Sequence, residues 1–243
     1  MSLQFKLESF GEKHYLLSQS EDYKFTIDSI ALGYFIELDY VKSVIDLGCS
    51  TGILEFVIES RKPGLEIYGI EIQPVLANIA EENFKKNNLS NISVLKGDYV
   101  KDKFLNDKKK FDIVMSNPPY MKMNSGVLPD KQSEKIAKFE LNMDMESLFS
   151  TANSYLNNKG KFVFTHKASR ISEIFMNSQK FKMGVERIQF VHSNESSKAY
   201  IVIVECSKRK NIDTKVEKPL IIYENNGKYK GVFGELFKWE FCL

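Results

Sequence analysis

The stretch "SVIDLGCSTGILEFVIES", residues 43–60, predicts a buried strand followed by a glycine-containing turn and a helix. The strand is expected over Ser43–Gly48, because these residues are mostly apolar and their number is that of a short strand. Beyond the turn, apolar residues recur at helical spacing until Pro63 and Gly64, which are residue types that end helices. A strand, a turn and a helix in this order begin a β-α-β unit, so the stretch predicts a parallel sheet.

The same alternation of strands and helices recurs along the rest of the chain. Helices are predicted from Pro74 to Asn87-Asn88, and from Asp144, a good N-cap residue, to Gly160. Further strands are predicted at residues 65–71, 92–98, 111–116, 161–166, 181–191 and 199–206. The last two strands lie too close together for a crossover helix, so one of them is expected to run antiparallel. The sequence therefore predicts an α/β fold, with a mostly parallel seven-stranded sheet, one antiparallel strand and helices on both faces.

Length and composition favour a single globular domain. The chain has 243 residues, of which 43% are hydrophobic and 27% are charged, and this composition argues against extensive disorder. We expect one domain over 1–243, with an N-terminal extension at 1–40 and a C-terminal addition at 211–243. The formal net charge of +2 permits a nucleic-acid partner without requiring one.

Cysteine usage and hydropathy indicate a cytoplasmic protein. The three cysteines are an odd number spread along the chain, which favours a reducing compartment over a disulfide framework. The N-terminal residues contain no apolar run of signal-peptide length, and no later run approaches the length of a membrane span. We therefore expect a cytoplasmic localisation and no membrane partner, and we expect the protein to be a monomer.

Polar residues follow each of the first four predicted strands. The first strand leads into Asp46 through Gly52, the second ends at Glu71, the third ends at Asp98, and the fourth runs into Asn117-Pro118-Pro119-Tyr120. In an open α/β sheet, ligands bind beyond the carboxyl ends of the strands, so these residues are expected at one binding edge. Each is also compatible with an ordinary turn or helix start, and their common position is what favours a ligand site.

The turn after the first strand favours a nucleoside ligand without phosphates. A dinucleotide site carries three glycines in its turn, whereas Gly48-Cys49-Ser50-Thr51-Gly52 is shorter and lacks the third glycine. A nucleoside needs a close backbone approach, a carboxylate for the ribose hydroxyls and a polar group for the adenine edge. Glu71 and Asp98 are placed for the last two tasks.

These residues resemble the class I S-adenosylmethionine-dependent methyltransferases, and among them the group that methylates amino nitrogens and carries Asn-Pro-Pro-Tyr. Three further segments, "FTIDSIALG" (25–33), "IAKFELNMDMESLF" (136–149) and "KPLIIYENNGKY" (218–229), are similar to the bacterial tRNA adenine-37 N6-methyltransferase family that acts on valine tRNA. The resemblance implies a Rossmann-like methyltransferase domain that uses S-adenosylmethionine as its cofactor and needs no metal. It implies cofactor contacts from Asp46, Gly48, Cys49, Gly52, Glu71, Ile72, Asp98, Tyr99 and Asn117.

The resemblance also implies roles for the Asn-Pro-Pro-Tyr residues. The side-chain oxygen of Asn117 and the backbone oxygen of Pro118 would accept hydrogen bonds from the substrate amino group, which stabilises the positive charge that develops on nitrogen. Pro118 and Pro119 restrict the backbone and hold these acceptors in place. Tyr120 would stack on a base that has left its helical stack. The implied substrate is N6 of adenine in tRNA, and the alternative is a glutamine amide of a translation release factor.

Two residues depart from the pattern of that family. Ser50 stands where the cofactor turn usually has glycine, and Phe139 stands where the family usually has histidine. Ser50 bears on cofactor binding, and Phe139 bears on which tRNA is recognised. Neither residue lies in the turn that carries Asn117.

Two other classes of function are compatible with parts of the sequence. The turn at 48–52 matches the Gly-x-Ser-x-Gly elbow of serine hydrolases, in which Ser50 would be the nucleophile and His166 or His192 the base. That interpretation leaves the carboxylates and the double proline unexplained. A nucleic-acid-binding module that kept only the fold is the second alternative.

Basic residues suggest where a nucleic acid would contact the protein. Candidates to follow phosphates are Lys101, Lys103, Lys108, Lys109, Lys110, Lys208, Arg209 and Lys210, although such clusters are often only solvated surface. His166, Lys167 and Arg170 follow the fifth strand and are candidates for a substrate contact near the same edge.

Overall fold

The computed structural model of the chain describes residues 6–10, 13–18, 26–102, 104–105, 109–118, 145–210, 212–231 and 233–234. The strands are β1 (Lys6–Phe10), β2 (Lys13–Leu17), β3 (Ser43–Leu47), β4 (Glu66–Glu71), β5 (Ile92–Lys96), β6 (Phe111–Ser116), β7 (Leu156–Lys167), β8 (Gly184–His192), β9 (Ala199–Ser207), β10 (Lys215–Val216) and β11 (Leu220–Ile221). The α-helices are α1 (Ile27–Phe35), α2 (Ile53–Arg61), α3 (Pro74–Lys86), α4 (Met145–Tyr155) and α5 (Ile171–Lys180), and a 3₁₀ turn spans Ala168–Arg170. None of the helices within these ranges is long and apolar enough to cross a membrane.

The main sheet has the order β10-β8-β9-β7-β6-β3-β4-β5, and β11 also pairs with β8. Strands β3 to β7 pair in parallel, whereas β9 is antiparallel to both of its neighbours, β7 and β8. This arrangement confirms the predicted α/β fold with seven main strands, one of them antiparallel. The short strands β10 and β11, which pair in parallel with β8, were not predicted because two residues carry no detectable pattern.

Helices cover both faces of the sheet. Helices α1, α2 and α3 share a hydrophobic core with Val44 and Ile67, while α4 and α5 share a second core with Ile45 and Ile70. Successive strand residues point to opposite faces, so each central strand contributes to both cores. This explains why the strands read as continuous apolar runs without strict alternation.

The boundary between α4 and β7 differs from the sequence prediction. The predicted helix extended to Gly160, but α4 ends at Tyr155 and β7 already begins at Leu156. A Cβ atom on Gly160 would lie 2.8 Å from the backbone oxygens of Phe111 and Asp112. Glycine is therefore needed for close strand approach and does not end the helix. The predicted N-cap, Asp144, lies outside the described residues.

The N-terminal hairpin of β1 and β2 is held against α3 by two asparagine side chains. Asn87 bonds the backbone N–H and C=O of Leu16, both at 2.8 Å. Asn83 bonds the N–H of Ser18 at 2.8 Å and its C=O at 2.9 Å, and its Nδ2 also donates to the Thr51 carbonyl at 3.0 Å. The hairpin is thereby connected to the glycine-containing turn after β3.

Candidate active site

The strand register brings the predicted site residues to one edge of the sheet. Asp46 pairs with Met115 in β6, and Leu47 pairs with Ile70 in β4. The residues that follow these pairs, Gly48, Glu71 and Asn117, therefore lie at the carboxyl ends of three adjacent strands. This is the edge at which an open α/β sheet binds its ligands.

The turn from Gly48 to Gly52 has an unusual backbone conformation. Its φ angles are 95° at Gly48, 52° at Ser50 and 90° at Gly52, all in the left-handed region that favours glycine. A Cβ atom on Gly52 would lie 2.5 Å from the Phe84 ring, so no larger residue fits there without rearrangement. Ser50 adopts the left-handed conformation without being glycine, so the departure from the expected glycine falls at a backbone conformation that glycine adopts more readily.

The space beside Gly48 is open. Apart from Gly48 itself and its two neighbours in the chain, no heavy atom of the described residues lies within 4 Å of the position that a Cβ atom on Gly48 would occupy. The Gly48 and Cys49 amides donate to the Ile70 carbonyl at 2.9 and 3.0 Å, which fixes the turn against β4. A ligand can therefore approach the backbone closely at this point.

Glu71 connects the turn to the start of α3. Its Oε2 accepts a 2.9 Å hydrogen bond from the Ser50 amide, and its Oε1 accepts a 2.8 Å bond from the Gln73 amide. The side chain is 4% exposed, and burial raises the pKa of Glu71 although these backbone hydrogen bonds lower it. Glu71 thus has a structural task besides the ribose contact predicted for it, and each carboxylate oxygen can accept more than one hydrogen bond.

Two buried carboxyl groups, Asp46 and Glu55, lie behind the turn. With both groups ionised, Asp46 Oδ1 and the two Glu55 oxygens have no hydrogen-bond partner in the part of the chain that the structure describes. Burial raises the pKa of Asp46 to about 8, although its hydrogen bond with Glu55 lowers it, and burial together with the Asp46 charge raises the pKa of Glu55 well above its usual range. Both shifts favour the protonated form, so we expect at least one of the two carboxyls to keep its proton and donate it to the other.

Sequence reasoning missed Glu55, although one signal was available. Glu55 stands between Leu54 and Phe56 in the sequence, in a segment of α2 whose residues are all buried. A charged residue inside a fully buried helical segment calls for a partner, and here the partner is Asp46. Burial also raises the pKa of the Cys49 thiol, and the neighbouring acidic side chains raise it further, which favours the unreactive protonated form of Cys49.

The segment after β5 contains the predicted residues Asp98 and Tyr99. Asp98 Oδ1 accepts a 2.8 Å hydrogen bond from the Val100 amide, and its Oδ2 lies 3.0 Å from Lys101 Nζ. Tyr99 is buried, while Ile72, which follows Glu71, is half-buried. The Gly97 amide donates to the Glu71 carbonyl at 2.9 Å, and this bond places the Asp98 segment next to the end of β4.

Asn117 is held by side chains from two other elements. Its Nδ2 donates to Ser29 Oγ at 2.8 Å and lies 3.4 Å from Thr26 Oγ1, both at the start of α1. Its Oδ1 accepts a 2.5 Å hydrogen bond from Thr165 Oγ1 of β7. Pro118 is buried, whereas the predicted residues Pro119 and Tyr120 lie outside the described residues. Sequence reasoning did not identify Ser29 or Thr165, because no local pattern marks them.

The histidines proposed for a hydrolase are engaged elsewhere. His166 Nδ1 accepts a 2.9 Å bond from the Lys167 amide, and its Nε2 lies 3.3 Å from Arg170 Nη1. His192 Nδ1 lies 2.7 Å from the Ser197 carbonyl. These contacts do not support a catalytic base for Ser50. Within the described ranges, no group of three or more histidine, cysteine or acidic residues is arranged to hold a metal ion.

Three of the lysines suggested as phosphate contacts, Lys109, Lys110 and Lys208, lie at the opposite edge of the sheet. Lys109 Nζ lies 2.6 Å from Glu66 Oε2 at the start of β4, and Lys110 donates to the Ser154 carbonyl at 2.5 Å. Lys208 donates to the Leu156 carbonyl at 2.7 Å, at the start of β7. These contacts do not support a phosphate path beside Asn117. Lys103, Lys108 and Phe139 lie outside the described residues.

Comparison with known proteins shows the family to which the chain is related. A family model described as a methyltransferase domain matches residues 39–233. The chain is 24% identical over 213 residues to the tRNA1(Val) (adenine(37)-N6)-methyltransferase of Flavobacteriaceae bacterium strain 3519-10, covering 87% of this chain and 89% of that protein. It is 30% identical over 131 residues to the release factor glutamine methyltransferase of Aliivibrio fischeri, covering 51% of this chain and 45% of that protein.

A solved structure shows the same fold. The crystal structure of a predicted O-methyltransferase, protein Atu636 from Agrobacterium tumefaciens, matches with a TM-score of 0.68 at 18% sequence identity. The match covers 87% of this chain and 95% of that chain. At this level of identity the similarity concerns the fold and not the substrate.

Proposed function

The chain belongs to the methyltransferase-domain family, and on that premise we propose that it methylates N6 of an adenine in tRNA. It is an S-adenosylmethionine-dependent methyltransferase. What the proposal adds is the acceptor: an exocyclic amino group, held by the oxygens of Asn117 and Pro118.

The residues at the sheet edge fit S-adenosylmethionine. When bound, this cofactor supplies a methyl group on a positively charged sulfonium, which is already activated for transfer. The open space beside Gly48 admits a ligand to the backbone, and nearby carboxyl groups suit a ligand with a positive charge and ribose hydroxyls. We assign the backbone contacts to Gly48, Cys49 and Gly52, the ribose to Glu71, the adenine edge to Asp98, and the flanking contacts to Asp46, Ile72 and Tyr99.

The residues after β6 fit an amino acceptor. The lone pair of a base amine is delocalised into the ring, so the amine is a poor nucleophile until positive charge on its nitrogen is stabilised. Asn117 Oδ1 and the Pro118 carbonyl oxygen are acceptors for the two amino hydrogens, and acceptors that are fixed before the reaction stabilise this charge most effectively. Pro118 and Pro119 have restricted φ angles, which lowers the entropic cost of holding both acceptors in place.

The observation that carries the proposal is the position of Asn117 beside the glycine turn. β3 and β6 are adjacent and parallel, and Asp46 pairs with Met115, so Gly48 and Asn117 each follow the paired positions by two residues. The acceptor side chain and the cofactor turn therefore lie next to each other at one edge, as methyl transfer between two bound molecules requires.

The comparisons favour tRNA over protein as the substrate. The match to the tRNA1(Val) (adenine(37)-N6)-methyltransferase spans most of both chains, whereas the match to the release factor glutamine methyltransferase spans about half of each. A glutamine amide also presents an NH2 group to two acceptors, so protein glutamine methylation is the second candidate. The methyltransferase fold and the glycine turn would serve either substrate.

A methyl-transfer assay with a labelled donor tests the proposal. The substrates are a valine tRNA transcript with adenine at position 37, the same transcript with guanine at that position, and a bacterial release factor. We expect methyl incorporation into the adenine transcript alone, and digestion to nucleosides should yield N6-methyladenosine. Incorporation into the release factor alone would replace the proposed substrate by the second candidate.

The Asn117→Ala variant tests whether Asn117 stabilises the amino group of the substrate during transfer. Because the variant lacks the proposed hydrogen-bond acceptor, it should lose about 100-fold or more in kcat, by analogy with the loss of one oxyanion-stabilising donor. Its affinity for S-adenosylhomocysteine, measured by calorimetry, should change by no more than about threefold. Equal losses of transfer and of cofactor affinity would contradict the role given to Asn117.

A further inference from the structure

The Asn117 amide is bonded at both ends by hydroxyl groups that lie outside its own turn. Thr165 Oγ1 of β7 donates to Oδ1, and Ser29 Oγ of α1 accepts from Nδ2 at 2.8 Å. We propose that Thr165 and Ser29 are positioning residues that fix the plane of the Asn117 amide, so that its oxygen and not its nitrogen faces the amino group of the substrate. The proposal rests on the proposed function, because it presupposes the acceptor role of Asn117.

Fixing this plane matters because an asparagine amide rotates easily. The terminal side-chain torsion of asparagine is broad and roughly two-fold, so its two orientations differ little in intrinsic energy. In one orientation the amide presents an acceptor oxygen, and in the other it presents two N–H donors. Two N–H donors that face the NH2 group would destabilise the positive charge that develops on its nitrogen during methyl transfer. The orientation of the amide therefore decides whether Asn117 helps or hinders the transfer.

Thr165 is placed to act on the reaction through Asn117. Its side chain is 0% exposed, so it does not reach a substrate at the edge of the sheet. Ser116 pairs with Phe164 in the parallel register of β6 and β7, so Asn117 and Thr165 are the next residues along these strands. The Ser116 hydroxyl donates to the Leu47 carbonyl at 2.7 Å and anchors the residue before Asn117. An amide oxygen has two lone pairs, so it can accept a substrate hydrogen while it accepts the Thr165 hydroxyl.

Ser29 holds the opposite end of the amide from a helix that is itself anchored. Asp28, the preceding residue of α1, accepts a 2.8 Å hydrogen bond from Tyr200 Oη, so β9 holds the first turn of α1. Thr26 Oγ1 provides a longer contact with the same nitrogen at 3.4 Å. The two ends of the amide are thus held from different elements, α1 and β7. Removal of either contact should let the amide rotate.

The first test compares three single variants in the methyl-transfer assay. Thr165→Val keeps the size of the side chain and removes its hydroxyl, and we expect kcat to fall about 10- to 100-fold, as small misplacements of reacting groups do. KM for the donor should stay within about twofold. Thr165→Ser keeps the hydroxyl and should restore kcat. Thr151→Val, the same change at a buried position of α4, is the matched control and should resemble the wild type.

The second test asks whether Thr165 acts through Asn117. In an Asn117→Ala background the amide is absent, so Thr165→Val should cause no further loss of kcat. A loss as large as in the wild-type background would overturn the proposal. Ser29→Ala provides an independent test if Thr165→Val does not fold, and it should lower kcat about 3- to 30-fold and show the same non-additivity.

These outcomes separate this inference from the proposed function. If Asn117→Ala transfers methyl groups as fast as the wild type, the acceptor role itself is wrong. If Asn117→Ala is inactive while folded Thr165→Val and Ser29→Ala keep wild-type kcat, the acceptor role stands and the positioning role is wrong. Loss in all three, without additivity, supports both.

Discussion

Glu55 is a residue whose protonation should be visible in the stability of the protein. Because its pKa is raised in the folded state, the folded protein retains a proton that the unfolded chain loses above about pH 4.3. The stability contributed by this proton is complete at low pH and is lost as the pH rises toward the folded pKa. Burial also raises the pKa of Asp46 to about 8, which acts in the same direction.

We therefore predict that Glu55→Gln becomes more stable relative to the wild type as the pH rises from 5.5 to 8. The amide is neutral at every pH and can still donate to Asp46. The difference in the free energy of unfolding should grow by up to about 1.4 kcal/mol per pH unit for one proton. Urea unfolding at several pH values measures it, and a difference that is constant or shrinks over this range would contradict the protonated state of Glu55.

Glu186→Gln is the matched control. Burial raises the pKa of Glu186, but hydrogen bonds from Lys161 and Ser207 outweigh it and lower the pKa below its usual range. The stability from such a group is complete above about pH 5 and is lost as the pH falls below the usual glutamate pKa. The difference between Glu186→Gln and the wild type should therefore be constant from pH 5.5 to 8.

The sequence could predict those site residues whose type and position directly after a strand are both informative. Glu71, Asp98 and Asn117 follow strands directly, and the parallel sheet brings such residues to one edge. Thr165 and Ser29 were not predictable, because they meet Asn117 across 48 and 88 positions of the chain. The roles of the predicted residues stay predictions until the variants are measured, and Pro119 and Tyr120 lie outside the described residues.

Asn83 in α3 and Asn87 directly after it make different contacts with the N-terminal hairpin. Asn83 is 0% exposed and bonds both Ser18 and Thr51, so Asn83→Ala leaves several buried polar groups without partners. We expect a loss of about 2–4 kcal/mol in the free energy of unfolding, and weaker binding of S-adenosylhomocysteine because the glycine turn loses a contact.

Asn87→Ala is the comparison, because Asn87 bonds the hairpin at Leu16 and does not contact the turn. It should cost about 1 kcal/mol, since the groups that it bonds are partly exposed to water, and it should leave ligand affinity unchanged. Urea unfolding and calorimetry measure both quantities. Equal losses of affinity in the two variants would show that the Asn83 contact with Thr51 does not support the ligand site.

Helices and strands in which apolar residues recur at a clear spacing were predictable, and those without such a spacing were not. The strand, turn and helix at 43–61 were predicted to within about two residues, because apolar spacing and the glycines agree. The hairpin of β1 and β2 was not predicted, since its stability comes from α3 and not from its own pattern. Gly160 was misassigned because a glycine that ends a helix and one that allows close strand approach look alike in the sequence.

Ligand binding should be visible in the stability of the whole molecule. A ligand that binds only the folded state stabilises it by about 2.7 kcal/mol at a concentration of 100 Kd. For a chain of this size we expect S-adenosylhomocysteine to raise Tm by roughly 5–10 °C. Ser50→Ala should respond equally, because the Ser50 contact with Glu71 comes from its backbone amide. No change in Tm at millimolar ligand would contradict the assignment of the site.

The order of the strands explains why the fold was the most predictable property of the molecule. Short connections, right-handed crossovers and one pair of strands too close for a helix leave few arrangements of seven strands. The domain limits at 1–40 and 211–243 are not fixed by such rules and stay predictions. The sheet in fact extends into the second of these segments, through β10 and β11.

The hydrogen bonds between Ser18 and Asn83 can form only after both residues have left the ribosome during synthesis. The two residues are 65 positions apart, so at about 5–20 residues per second the nascent hairpin leaves the ribosome roughly 3–13 s before Asn83 does. During that interval the N-terminal hairpin has no contact with α3. The turn at 48–52 likewise gains its contact with Asn83 only after α3 has left the ribosome.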